Sequence, residues 1–128
     1  MRLHHVRIAM PPGREEEARA FYADTVGFEE LPRPAALAER GGVWFRRTEG
    51  GVPTAELHLG VVEDFVPAQH AHPTLSVTSV AALEALAERI AATGREVSWA
   101  GRTELPRYER FHASDPFGNR LEVLAPTD

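Results

Sequence analysis

The sequence predicts an α+β protein in which one module is written twice. Three observations carry this. The order strand, helix, strands occurs in residues 1–62 and again in residues 72–128, with "EDFVPAQHA" (63–71) as the link. Each copy opens its first strand with a histidine and carries a glutamate on its last: His5 to Glu56 spans 51 positions and His72 to Glu122 spans 50. The strand-like runs alternate apolar and polar residues, so each has one face to bury and one to leave wet. The 128 residues suit a single domain made of two such modules.

The first run, "LHHVRIAM" (3–10), places Val6 and Ile8 on one face and His5 and Arg7 on the other. "PPG" is a turn signal. "REEEARAFYADTVGF" follows as a helix, with Glu15, Glu16 and Glu17 in the first turn, where acidic groups suit the dipole. Its stripe is Ala18, Phe21, Tyr22 and Thr25, and Gly27 closes it. "GGVWFRR" and "TAELHLGVV" are strands joined by a hairpin turn in "TEGGVP". In the second copy "HPTLSVT" is a strand. "SVAALEALAERIAATG" is a helix capped by Ser79, striped by Leu83, Leu86, Ala87 and Ile90, and ended by Gly94. "REVSWA" and "RFHAS" are strand-like, "DPFGN" is a tight turn, and "RLEVLA" is the last strand.

Composition narrows the function. The net charge of −5 argues against nucleic acid or an anionic membrane as partner, because both reward basic patches. With no cysteine there is neither a disulfide framework nor a thiolate metal site. No apolar run approaches the roughly 20 residues of a membrane span. No signal-peptide pattern opens the chain, which predicts a cytoplasmic protein of bacterial type. Gly-rich phosphate loops and nucleophile elbows do not occur.

Parity places His5, Glu56, His72 and Glu122 on polar faces, opposite Leu57, Leu59, Leu75, Val77, Leu121 and Val123. Two imidazoles and a carboxylate on one face are costly unless something satisfies them, and a divalent cation does so directly. Mixed imidazole and carboxylate ligands suit Fe, Mn, Ni, Co or Zn. Glu56 and His58 share a face, and either is eligible as fourth ligand. Glu56 aligns with Glu122 in the repeat and is favoured, leaving His58 as a substrate contact. His112 faces the same space as an acid–base group or a polar lining residue. Arg7, Trp44 and Arg46 are expected along the substrate, and His4 on the helix-facing or edge side.

The paired modules resemble the vicinal oxygen chelate superfamily, which includes glyoxalase I, fosfomycin-resistance proteins, extradiol dioxygenases and bleomycin-binding proteins. "HHVRIAMPPGREEEARAFYADTVGF" is similar to its first strand and helix, "AHPTLSV" to the strand opening its second unit, and "SDPFGNRLEVLAP" to its closing hairpin, the most specific of the three. The resemblance implies two βαβββ units forming a cupped mixed sheet. It also implies metal ligands at His5, Glu56, His72 and Glu122, with His5, His72 and Glu122 matching the two-histidine, one-carboxylate set. Glyoxalase I has a glutathione-contacting arginine where this chain has Ala9, and extradiol dioxygenases have a catalytic tyrosine where it has His112. The expectation is therefore metal-dependent lyase or isomerase chemistry on a small oxygen-rich substrate, in which Glu56 or Glu122 moves a proton. The alternatives are a dioxygenase or a non-catalytic drug-sequestering protein. In two-module relatives the first module of one chain pairs with the second of its partner, which implies a homodimer.

Overall fold

The computed structural model describes all residues, Met1–Asp128. The chain divides into two compact units, Met1–Pro67 and Ala68–Asp128. Each holds one four-stranded mixed sheet, so the architecture is α+β, as the repeat predicts.

The first unit runs β1 (Val6–Met10), α1 (Glu15–Ala18), a π-helical stretch (Arg19–Val26), β2 (Glu29–Leu31), α2 (Ala35–Ala38), β3 (Val43–Glu49) and β4 (Val52–Val61). Strand order is β1-β4-β3-β2, with β1 and β4 parallel and the other pairs antiparallel. The second unit runs β5 (Thr74–Ser76), α3 (Val80–Ala92), β6 (Val97–Ser98), β7 (Tyr108–Ser114) and β8 (Arg120–Pro126). Its order, β5-β8-β7-β6, repeats the same pairing senses. In both, the last strand lies between the first and the third.

Each unit buries its own core. In the first, Ile8, Met10, Phe45, Leu57 and Leu59 from the sheet meet Ala18, Phe21, Tyr22 and Val26. In the second, Phe111, Leu121 and Val123 meet Leu83, Leu86, Ala87 and Ile90, the four-residue stripe read from the α3 sequence. The Ser79 side chain accepts from the Ala82 N–H, and Gly94 follows the helix at φ +86°, satisfying end groups that a helix leaves open.

The first helix departs from the predicted winding. Beyond Ala18 it winds as a π-helix, Arg19–Val26, closed by the Gly27 N–H on the Tyr22 carbonyl five residues back. That wider turn rotates Val26 into the core and leaves Thr25 only half-buried. Strand β2 and the short helix α2 are not legible in the sequence of residues 28–41. The hairpin between β3 and β4 tightens to Gly50–Gly51, both at positive φ, as a two-residue connection demands. Strand β1 begins at Val6 and β5 at Thr74, so His5 and His72 both lie just ahead of their strands.

Candidate functional site: two histidine–glutamate clusters

In the first unit, residues paired across neighbouring strands share a face. Arg7 pairs with His58 and His58 with Trp44, while Arg46 pairs with Glu56. The rings form a pile. Trp44 stacks on His58 at 3.9 Å and 6°, and His5 stacks on His58 at 4.0 Å and 17°. Two rings thus clamp His58, and Trp44 is no free wall but its cover.

Glu56, with only 7% of its side chain exposed, is the hub. Arg46 donates to Oε1 from Nε at 2.8 Å and approaches it with Nη2 at 2.7 Å; His58 Nε2 lies 2.7 Å from Oε2. Burial alone would raise this carboxyl, but hydrogen bonds from Arg46 and His58 outweigh it and hold it below the ordinary value. An ionised carboxylate only accepts, so His58 presents Nε2–H and keeps its lone pair on Nδ1. Burial pushes His58 down, against the pull of Glu56, and the nearby His5 and His4 add to the fall.

His4 corrects an expectation. Alternation sends it to the helix-facing or edge side; instead its Nδ1 lies 2.9 Å from His5 Nδ1 and 3.9 Å from Glu56 Oε2. Alternation holds only within a strand, and these residues precede β1. His4, His5 and Glu56 form one group able to hold a cation, their ligand atoms within 4.8 Å of one another.

In the second unit the hub is Glu122, its side chain 8% exposed. His112, Glu122 and Thr74 form one row across β7, β8 and β5. His72 Nε2 lies 2.9 Å from Glu122 Oε2, the Thr74 hydroxyl donates to that oxygen at 3.3 Å, and His112 Nε2 is 3.5 Å away. Arg110 Nη1 donates to Oε1 at 3.2 Å. Burial would raise this carboxyl too; His72 and Arg110 bring it below the ordinary value. His112 is lowered by burial first and then by the Arg120 charge, against Glu122, so at neutral pH its ring is uncharged and has a lone pair to offer. His72, His112 and Glu122 form the second group with ligand atoms within 4.8 Å.

His72 tests whether a cation fits. Its Nδ1 lies 2.7 Å from the His70 carbonyl, which only accepts, so Nδ1 carries a hydrogen. In the neutral ring the lone pair then sits on Nε2 and faces the acceptor-only oxygen of Glu122. That 2.9 Å approach needs a second proton or a cation to be favourable. A histidine oriented by a backbone carbonyl behind it is the usual support of a metal ligand. The donor set fits a divalent ion of the Fe, Mn, Ni, Co or Zn kind.

The four residues expected as ligands therefore fall two to a unit: His5 with Glu56, His72 with Glu122. Arg46 and Trp44 are engaged with Glu56 and His58. Arg7 shares their face and has no hydrogen bond or ion pair. Sequence reasoning missed His4 and Arg110; the same parity as His112 was the available signal for Arg110.

The sequence profile of the Glyoxalase/Bleomycin resistance protein/Dioxygenase superfamily matches residues 2–123. The chain belongs to this superfamily. A glyoxalase family protein from Bacillus anthracis is 40% identical, with 99% of this chain and 100% of that one covered and a TM-score of 0.81. TnmS3, an antibiotic binding protein from Streptomyces sp. CB03234, is 27% identical over 99% of each chain, with a TM-score of 0.63. The fosfomycin resistance protein FosX from Listeria monocytogenes shares the fold at a TM-score of 0.67 and 17% identity, covering 100% of this chain and 93% of its own. Among curated proteins none matches the sequence. Superfamily members of this kind bind small molecules, and no helix of this chain is long and apolar enough to cross a membrane.

Proposed function

We propose that this superfamily member is a cytoplasmic, divalent-metal-dependent enzyme of the glyoxalase-like lyase or isomerase kind, acting on a small oxygen-rich substrate. The supporting observation is the His72 ring, its Nδ1 on the His70 carbonyl and its Nε2 turned to Glu122 beside a neutral His112. His72, Glu122, His5 and Glu56 would hold the cation, which when bound supplies charge stabilisation for two neighbouring substrate oxygens. Glu56 and Glu122, both ionised at neutral pH, are the proton acceptors. Substrate carbon acidity would deliver the proton to Glu56 Oε2, where His58 orients the carboxylate and Arg46 anchors its other oxygen. Glu56 would hand the same proton back at the neighbouring substrate atom, while His112, uncharged beside Glu122, is placed to accept a proton. Trp44 and Arg46 border that face.

Because each unit supplies half of the four-ligand set, the working form is proposed as a homodimer in which a first unit meets its partner's second unit. Chelated, untagged protein should take up about one cation per chain from Mn, Co, Ni or Zn, and His72→Ala should not. Mixing His5→Ala and His72→Ala chains should restore one site per dimer. No uptake by the wild type, or full uptake by His72→Ala, overturns the reading. Turnover of catechols with oxygen uptake by the Fe form would replace it with a dioxygenase.

A second reading has its own support. The Arg46 grip on Glu56 and the His5–His58–Trp44 pile suit a metal-free cup that sequesters a planar molecule, and TnmS3 is an antibiotic binding protein. Quenching of tryptophan fluorescence by planar compounds, in protein that takes up no cation, would favour it.

A further inference from the structure

All 14 basic residues of the chain are arginines, against 19 acidic ones. With carboxylates in excess, arginines on the polar faces find partners: Arg46 holds Glu56 and Arg110 holds Glu122. Arg7 holds nothing. Its position is nevertheless defined. A Cβ built on Gly60 would collide with Arg7 Cζ and both Nη atoms alike, so the guanidinium lies flat over the Gly60 backbone. Gly60 sits inside β4, where glycine weakens a strand. Unlike Gly42, Gly50 and Gly51 it has no positive φ that would require glycine. Its missing side chain therefore serves space, and the occupant of that space is Arg7. The same face carries His58 and Trp44, the cross-strand neighbours of Arg7 and of one another.

We propose that Arg7, seated on Gly60, is an anion receptor, and that the substrate carries a carboxylate or phosphonate group. This rests on the reading that the polar face of the first unit binds substrate, and it narrows "oxygen-rich" to anionic. A guanidinium seated against backbone on one side, with no hydrogen bond or ion pair, has its N–H fork open to a carboxylate or phosphonate, which it takes through two parallel bonds. Gly60 is the positioning residue: it leaves the room in which the guanidinium settles.

The test uses chelated protein, so that a failure of metal binding leaves the readout intact. Malonate and methylphosphonate are titrated separately, with acetamide as uncharged control, following the Arg7 side-chain N–H signals by NMR and heat by calorimetry. The wild type should bind at least one anion and not acetamide. Arg7→Met should weaken that binding at least about tenfold, and Arg7→Lys should recover only part, because an ammonium lacks the fork. Gly60→Ala, its fold checked by circular dichroism, should weaken it at least about threefold by displacing the guanidinium. Preference between the two probes tells carboxylate from phosphonate substrates. Failure of the wild type to bind either anion, or unchanged binding in Arg7→Met, overturns the proposal; unchanged binding in Gly60→Ala overturns the role of Gly60. Cation uptake by Arg7→Met should match the wild type, which separates this proposal from the metal reading.

Discussion

Glu56 and Glu122 occupy the same place in two copies of one topology, yet they are held differently. Each lies on the last strand of its unit, buried, ionised and beside a histidine. Glu56 has both oxygens committed, one to two nitrogens of Arg46 and one to a clamped His58. Glu122 has one nitrogen of Arg110 on Oε1, while two imidazoles and a hydroxyl approach Oε2. The backbone explains part of the difference. Val6 pairs with Leu57, an offset of 51, but Thr74 pairs with Glu122, an offset of 48. The chemical repeat of histidine and glutamate is thus not the repeat of strand register. Thr74 fills the row beside Glu122, and His72 comes in from upstream. The first unit has an anchored carboxylate; the second has one arranged to share.

The comparison breaks most easily in the cores. Phe45 and Phe111 are each fully buried on the third strand of their units. Replacing either with Ala should cost about 3–5 kcal/mol in urea unfolding, and the two losses should agree within about 1 kcal/mol if the cores are equivalent. The next effect is on cation affinity. His72→Ala should lower it at least about 100-fold and His4→Ala no more than about threefold, since only His72 has a carbonyl behind it. Equal losses would mean that the exposed His4, 75% accessible, is a ligand of equal standing.

Smaller again is the effect of removing the arginines. Arg46→Met strips Glu56 of the donor to Oε1 and should cost about 1–3 kcal/mol. Arg110→Met should cost less, because Arg110 gives Glu122 one nitrogen at 3.2 Å where Arg46 gives Glu56 two at 2.7 and 2.8 Å. Chemical unfolding of the two variants measures the asymmetry directly; a larger loss for Arg110→Met would invert it.

The smallest effect is on pH dependence. His58 and His112 are both pushed below the ordinary imidazole value, chiefly by burial. The folded state then binds fewer protons than the unfolded chain, so this stability is present above about pH 6.5 and is lost as pH falls through the lowered folded values. Glu56 and Glu122, also lowered, contribute stability above the ordinary glutamate value near 4.3 that is lost further down. The melting temperature should fall in two stages between pH 7 and pH 3, and the double variant His58→Gln/His112→Gln should lack the first.

Much of this molecule was legible in its sequence, for definable reasons. The stripe Leu83–Leu86–Ala87–Ile90 is regular because α3 is an ordinary helix with a Ser cap and a Gly stop. The first helix misled at Thr25 because periodicity assumes a bond four residues back, and this one is bonded five back. Short β2 and α2 carry too few residues to show a period. Glu122 was readable because β8 alternates regularly, and His72, ahead of β5, through the matched histidine–glutamate spacing of the two copies. The convergence of His4 with His5 was not, because pleat alternation says nothing of residues ahead of a strand. The Arg46 grip on Glu56 was hidden because facing parity does not reveal which neighbours bond.

The strand order has a consequence for how the protein is made. In each unit the last strand to be synthesised sits in the interior of the sheet, and the first strand has no other partner. On the ribosome, β5 and His72 must wait until β8 emerges some 45 residues later, and the β6–β7 pair waits with them. The first unit, whose closing strand β4 ends at Val61, is complete well before. Nascent chains halted between the two would carry one finished sheet and one unpaired strand edge, the state most exposed to misassociation.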